Sequence, residues 1–133
     1  MLKKVLVVDD SALIHKMYQL VLLRYNCEMV IAANGREALD ILAVQRDFQL
    51  ILLDIHMPVM NGIEFMEEAK ALGLTNSFPI IILSAEGKEE DTIRGLQLGA
   101  RGYLKKPFKS TDLYDIIGKI FAQQDAGGVY ECR

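Results

Sequence analysis

The chain has only two cysteines in 133 residues, little excess charge of either sign, and no long apolar run. Cys27 and Cys132 lack a CxxC spacing, and Cys27 opens an apolar strand pattern. A lone cysteine in that setting packs as a small core residue rather than acting as a ligand or redox centre. A reducing compartment is the matching expectation. The formal net charge of −3 argues against a large basic surface, and so against bulk binding of nucleic acid or anionic membrane. No apolar stretch approaches the roughly 18 residues of a membrane span. Met1-Leu2-Lys3-Lys4 runs straight into a strand pattern, without the longer apolar stretch and cleavage site of a signal peptide. Repeats and low-complexity tracts are absent too. The expectation is a cytoplasmic protein with no membrane and no direct nucleic-acid contact.

At 133 residues the chain fits one domain. A chain of this length buries roughly two-thirds of its unfolded surface, enough for a core without disulfide staples. Short apolar runs alternate with amphipathic segments, the pattern of strands covered on both faces and joined by helices. Strands are predicted at about 3–9, 27–31, 49–54, 79–84 and 101–105. Between them, Leu13, Met17, Leu20 and Val21 form the apolar face of a helix over about 12–25. Asn34 and Glu37 open a second helix to about residue 46. Asn61 caps a third, with Ile63, Met66 and Lys70 near one face and Gly73 at its end. Residues 88–98 carry Ile93, Leu96 and Gln97 at helical spacing, and Leu113, Ile116, Ile117 and Ile120 mark the last helix. Residues 1–122 then form one α/β domain, a parallel sheet with helices on both faces. Residues 123–133, with Gly127-Gly128 and no periodicity, read as a tail or the start of a linker.

Four of the five strands end in a residue suited to phosphoryl chemistry. The first ends in Asp9-Asp10, the third in Asp54, the fourth in Ser84, and the fifth runs into Lys105-Lys106-Pro107. Ligands of open parallel sheets bind outside the carboxyl ends of the strands. Three clustered acids either take up protons or bind a cation, and all-oxygen ligands suit magnesium. A carboxylate can act as a covalent nucleophile and form an acyl phosphate. Lys106 adds a mobile positive charge and Ser84 a donor to a phosphoryl oxygen. Each residue also has an ordinary reading. Paired acids after a strand serve as helix caps, a serine caps or turns, and a lysine beside proline faces solvent. Their ordered arrival at four strand ends favours a joint role.

Val7-Val8-Asp9-Asp10-Ser11, Leu53-Asp54-Ile55-His56-Met57-Pro58-Val59-Met60-Asn61-Gly62, Leu83-Ser84-Ala85 and Tyr103-Leu104-Lys105-Lys106-Pro107-Phe108 resemble one known family. Over about residues 3–121 the chain is similar to the receiver domain of two-component response regulators, of the chemotaxis-regulator kind. The resemblance implies a doubly wound, flavodoxin-like (βα)5 fold with strand order 2-1-3-4-5, an order that general accounts of the fold give for such a receiver. It implies Asp54 as phosphoacceptor, Asp10 as a direct magnesium ligand, Asp9 as a ligand through water, and the backbone carbonyl of His56 as a further ligand. Lys106 matches the phosphate-pairing lysine, Ser84 the switch hydroxyl, and Tyr103 the aromatic that moves inward on activation. His56 and Glu86 occupy positions that tune phosphoryl gain and loss. Lys106-Pro107 is implied to be cis. His15 is expected on the exposed side of the first helix.

The same resemblance implies a phosphorylation switch rather than an enzyme with an external substrate. A sensor histidine kinase or histidine phosphotransfer protein would be the donor. The helix 4–strand 5–helix 5 surface would serve a downstream target protein or a fused output domain. It also allows a homodimer through the last two helices. Three other readings remain open at this point. One is a non-phosphorylated interaction module on the same fold. A second is a phosphohydrolase of the haloacid dehalogenase type, in which His56 stands where such enzymes carry a second acid. A third is a flavin-binding, flavodoxin-like protein, poorly matched to three acids at a phosphate site.

Overall fold

In the computed structural model the chain is described at residues 2–85 and 87–122, and as backbone at 130–132. The elements are β1 (Lys4–Val8), α1 (Ala12–Leu22), β2 (Glu28–Ala32), α2 (Gly35–Val44), β3 (Leu50–Asp54), α3 (Gly62–Ala71), α4 (Leu74–Ser77), β4 (Ile80–Ser84), α5 (Glu89–Gln97), β5 (Gly102–Lys105), α6 (Ser110–Ala122) and β6 (Tyr130–Cys132). A 3-10 turn, Leu23–Tyr25, prolongs α1. All strand pairs are parallel, in the order β2-β1-β3-β4-β5-β6. The expected 2-1-3-4-5 sheet is therefore present.

Two elements lie outside the expected set. The one-turn α4 follows Gly73, whose φ of 76 opens a second helical turn where α3 stops. The fourth and fifth expected helices are thus α5 and α6. The short β6 falls in the segment that reads as a tail. Its backbone pairs with β5, Gly102 with Tyr130 and Leu104 with Cys132. Pairing on an open edge rests on main-chain donors and acceptors, so it leaves no side-chain period in the sequence. Residues 123–129 and 133 of that segment lie outside the described residues.

The strands read as continuous apolar runs because both faces are covered. Alternate residues serve the two faces. Leu6, Val8, Ile51, Leu53, Ile80 and Ile82 pack with Leu39 and Leu42 of α2 and Phe65 and Met66 of α3. Val5, Val7, Leu50, Leu52, Ile81 and Leu83 pack with Tyr18 and Leu22 of α1 and with Leu113, Ile116, Ile117 and Ile120 of α6. The α6 stripe is thus buried as the spacing predicts. Asn61 forms a full capping box with Glu64, at 2.9 and 3.0 Å. Asn34 accepts from the Glu37 amide at 2.9 Å. Cys27 is partly buried against the second cluster, and burial pushes its thiol pKa up.

Three helix faces differ from expectation. On α1, Leu13 is 77 % and Leu20 71 % exposed, while Tyr18 and Leu22 are buried and Ile14, Met17 and Val21 pack beside them. On α3, Lys70 is exposed and the buried residues are Gly62, Phe65, Met66 and Ala69. On α5, Ile93 is exposed and the buried residues are Thr92 and Gly95. On α5 the reason is closeness of approach. A Cβ on Gly95 would collide with the Ile82 side chain, so α5 meets the sheet along a small-residue strip and turns Ile93 outward.

Candidate functional site

The parallel sheet brings the ends of β1, β3, β4 and β5 to one edge. Asp9 and Asp10 follow β1, Asp54 ends β3, Ser84 ends β4, and Lys106 follows β5. Asp9 is 2 % and Asp54 9 % exposed, whereas Asp10 is exposed. Oxygens of Asp9, Asp10 and Asp54 all lie within 4.8 Å of one another. Lys106 Nζ donates to Asp54 Oδ1 at 3.1 Å and lies 3.7 Å from Asp9 Oδ2. A main-chain bond from the Lys106 amide to the Ser84 carbonyl, at 2.7 Å, ties the β5 exit to the end of β4. The Lys106-Pro107 peptide is cis.

The loop after β1 is held by short-range bonds. The Asp9 amide donates to the Ala32 carbonyl of β2 at 3.0 Å. Asp9 Oδ1 accepts from the Ser11 amide at 2.9 Å, and the Ser11 hydroxyl caps α1 by accepting from the Ile14 amide at 3.3 Å. The loop after β3 turns sharply. Gly62 donates to the Ile55 carbonyl at 2.8 Å. A Cβ at Gly62 would lie 2.5 Å from the Asp54 carbonyl oxygen, so only glycine lets α3 start this close to the strand end. In the same loop Val59 has a φ of 67 and is 80 % exposed. A β-branched residue in that region is strained.

Burial pushes the Asp54 carboxyl pKa up. Lys106 pulls it down, while Asp9 and Asp10 push it up further. Among the described residues one positive charge, Lys106, lies against a cluster of three carboxylates, so the cluster is short of cation. Asp9 Oδ2 is buried and has no hydrogen-bond partner among the described residues. An orphaned carboxylate oxygen in an all-oxygen set fits a hard divalent cation such as magnesium. Asp9, Asp10 and Asp54 are the residues that could hold it.

Sequence reasoning expected His15 to face solvent. The imidazole is instead half-buried, with Nε2 2.6 Å from the Asp9 carbonyl oxygen. Tyr18 stands outside the motifs at the strand ends. Its hydroxyl is buried without a hydrogen-bond partner among the described residues, and its ring stacks on Phe108 at 6.3 Å. Burial, then the negative charges of Asp9 and Asp54, raise its pKa well above the usual value. One turn of α1 thus carries two polar side chains to the back of the acid loop. A tyrosine at an apolar position of the helical period was the only sequence sign.

Beside Ser84 lies a cleft of about 330 Å³, lined by Ser84, Thr92, Ile93, Leu96, Tyr103 and Lys105. Tyr103 is half-buried there and packs on the first core cluster. Lys105 pairs with Glu89 at 3.3 Å across the mouth. His56 is exposed two residues past Asp54. Glu86 lies outside the described residues. No helix among the described residues is long and apolar enough to cross a membrane.

Known proteins share this sequence pattern and this fold. The sequence model of the response regulator receiver domain matches residues 5–118. The probable transcriptional regulator ycf29 of Pyropia yezoensis is 38% identical over 120 residues, covering 90% of this chain and 54% of that protein. The transcriptional regulatory protein CpxR of Escherichia coli (strain K12) is 39% identical over 119 residues, covering 90% of this chain and 49% of that protein. The chain therefore spans about half the length of these curated relatives. Among solved structures, the chemotaxis protein CheY4 of Vibrio cholerae superposes with a TM-score of 0.78 at 36% identity. That match covers 90% of this chain and 99% of the other.

Proposed function

The chain belongs to the response regulator receiver domain family, and on that premise we propose that Asp54 is the phosphoryl acceptor of a magnesium-dependent signalling switch. The observation that carries the reading is the charge arrangement around Asp54. A nearly buried carboxylate lies within 4.8 Å of two further acids and 3.1 Å from a lysine. Asp54 attacks phosphorus through a carboxylate oxygen. The new P–O bond gives an acyl phosphate as the bond from phosphorus to the donor nitrogen breaks and its electron pair stays with the donor. The donor is the phosphohistidine of a sensor kinase or phosphotransfer protein. An ionised Asp54 has no proton to lose in this step.

When bound, magnesium supplies positive charge that keeps the acids ionised and polarises the phosphoryl oxygens. Asp10 would hold it directly, Asp9 through water, and Asp54 and the backbone carbonyl of His56 would complete the protein ligands. Lys106 neutralises a phosphoryl oxygen. The Ser84 hydroxyl donates to another. That pull vacates the space beside β4, and Tyr103 turns into the neighbouring cleft. The surface of α5, β5 and α6 changes, and a target protein or a fused output domain reads it. His56, two residues past Asp54 in the sequence, and Glu86, two past Ser84, tune how fast the phosphoryl group is gained and lost. On this reading the chain is a switch with self-phosphorylation and self-dephosphorylation chemistry, not an enzyme with external substrates, and it works in the cytoplasm. A full shift from 1:99 to 99:1 takes about 5.5 kcal/mol of differential stabilisation, part of it from the contacts of Lys106 and Ser84.

Intact-protein mass after incubation with acetyl phosphate tests the proposal. The expected result is a magnesium-dependent gain of one phosphoryl group that Asp54→Ala abolishes. No gain by folded protein under any condition would replace it with a non-phosphorylated interaction module. Sustained hydrolysis of small phosphate esters would point to a phosphohydrolase.

A further inference from the structure

Building on the cation site proposed above, we infer that His15 is a positioning residue for it, acting through the peptide that joins Asp9 to Asp10. His15 sits in the first turn of α1, and its Nε2 lies 2.6 Å from the Asp9 carbonyl oxygen. A carbonyl oxygen only accepts, so the proton of this bond is on Nε2. That oxygen belongs to the Asp9–Asp10 peptide, and a peptide unit is planar with a rotation barrier of about 18–20 kcal/mol. Holding the oxygen therefore sets the direction in which the chain leaves for the Asp10 Cα.

Asp10 is the acid that needs this help. Asp9 is walled in and accepts from the Ser11 amide, and Asp54 is held by Lys106. Asp10 is exposed, and none of the described residues donates a hydrogen bond to its carboxylate. Its aim is set by the backbone that carries it. That backbone is fixed on the sheet side by the bond from the Asp9 amide to Ala32, and on the helix side by His15. The side chain also reaches back along α1, the direction in which helical side chains lean. A histidine placed here only for solubility would have no reason to bury half its ring against a loop carbonyl.

Magnesium binding to the unphosphorylated full chain tests the assignment, by calorimetric titration of wild type, His15→Met and His15→Gln. Methionine keeps the length and lacks an N–H; the glutamine amide offers an N–H at similar reach. The expected result is a dissociation constant roughly tenfold higher for His15→Met, the usual scale for losing an outer partner of a metal site, with most of the loss recovered in His15→Gln. A second readout is the magnesium concentration that gives half the maximal rate of phosphorylation by acetyl phosphate. It should rise by the same factor, whereas a merely structural defect would lower the folded fraction and leave that midpoint in place. Equal affinity of wild type and His15→Met, or a His15→Gln as weak as His15→Met, would overturn the assignment alone. A wild type that binds no magnesium would remove the proposed function and this inference together.

Discussion

Replacing Asp54 with asparagine keeps the shape of the side chain and removes its charge. Oxygens of Asp54 and Asp9 lie within 4.8 Å, a repulsion of about 3.5 kcal/mol at an effective dielectric near 20. Asp10 adds to it, weakened by its exposure to water. Lys106, 3.1 Å away, returns about 5 kcal/mol on the same scale, less what its partial exposure screens. These pair energies come close to cancelling. The sign is then decided by desolvation of the ionised carboxylate, the leading cause of its raised pKa. Asp54→Asn should therefore stabilise the metal-free protein by about 1–2 kcal/mol near pH 7. Because the folded-state pKa of Asp54 is above its unfolded value, folding favours the protonated acid. That contribution is complete below the ordinary carboxylate pKa of about 4 and is lost as pH rises through the folded value. The advantage of Asp54→Asn should accordingly be small at about pH 3.5 and grow toward neutrality. Urea denaturation in EDTA at both pH values measures it, with matching slopes showing that the unfolded state is unchanged. Bound at the proposed site, magnesium at a hundredfold excess over its dissociation constant would return about 2.7 kcal/mol to wild type and should close or reverse the gap. A variant no more stable than wild type at neutral pH without metal would refute the reasoning.

Other substitutions probe the same edge. Lys106→Met leaves Asp9 and Asp54 without their cation, and should cost about 1–2 kcal/mol near neutral pH; a loss that persists unchanged once the acids are protonated would contradict the electrostatic account. Gly62→Ala puts a Cβ against the Asp54 carbonyl and the Ile55 backbone, so a destabilisation of about 2 kcal/mol is expected, and a neutral result in thermal unfolding would show that the loop can yield. Val59→Asn relieves a left-handed valine and should raise stability by about 1 kcal/mol; an unchanged denaturation midpoint would mean that no strain is held there.

Legibility along the chain followed the kind of force involved. Strand runs such as Ile80-Ile81-Ile82-Leu83 announce burial on both faces, and asparagine caps at 34 and 61 announce helix starts, because both depend on residues close in sequence. On the last two helices, legibility tracked the size of the packing residues. The α6 stripe was read correctly, but on α5 the buried residues are Thr92 and Gly95. A hydrophobicity pattern weights Ile93 above glycine, whereas close packing on Ile82 favours the glycine.

For the candidate site, Asp9, Asp10, Asp54, Ser84 and Lys106 declared themselves by standing at strand ends. Chain order along the sequence carries that information, since parallel strands all deliver their carboxyl ends to one edge. What surrounds them did not declare itself. The bond from His15 to the Asp9 carbonyl, the buried Tyr18 hydroxyl and the β6 pairing on β5 each depend on how one element docks against another. By itself, the sequence determined which chemistry-bearing residues reach the sheet edge, through local patterning and the one-way sense of parallel strands. The tertiary structure decided how far apart those groups stand, which helix face meets the sheet, and which second residues hold the acids in place. Such distances come from close packing among residues far apart in the chain, and no local period records them.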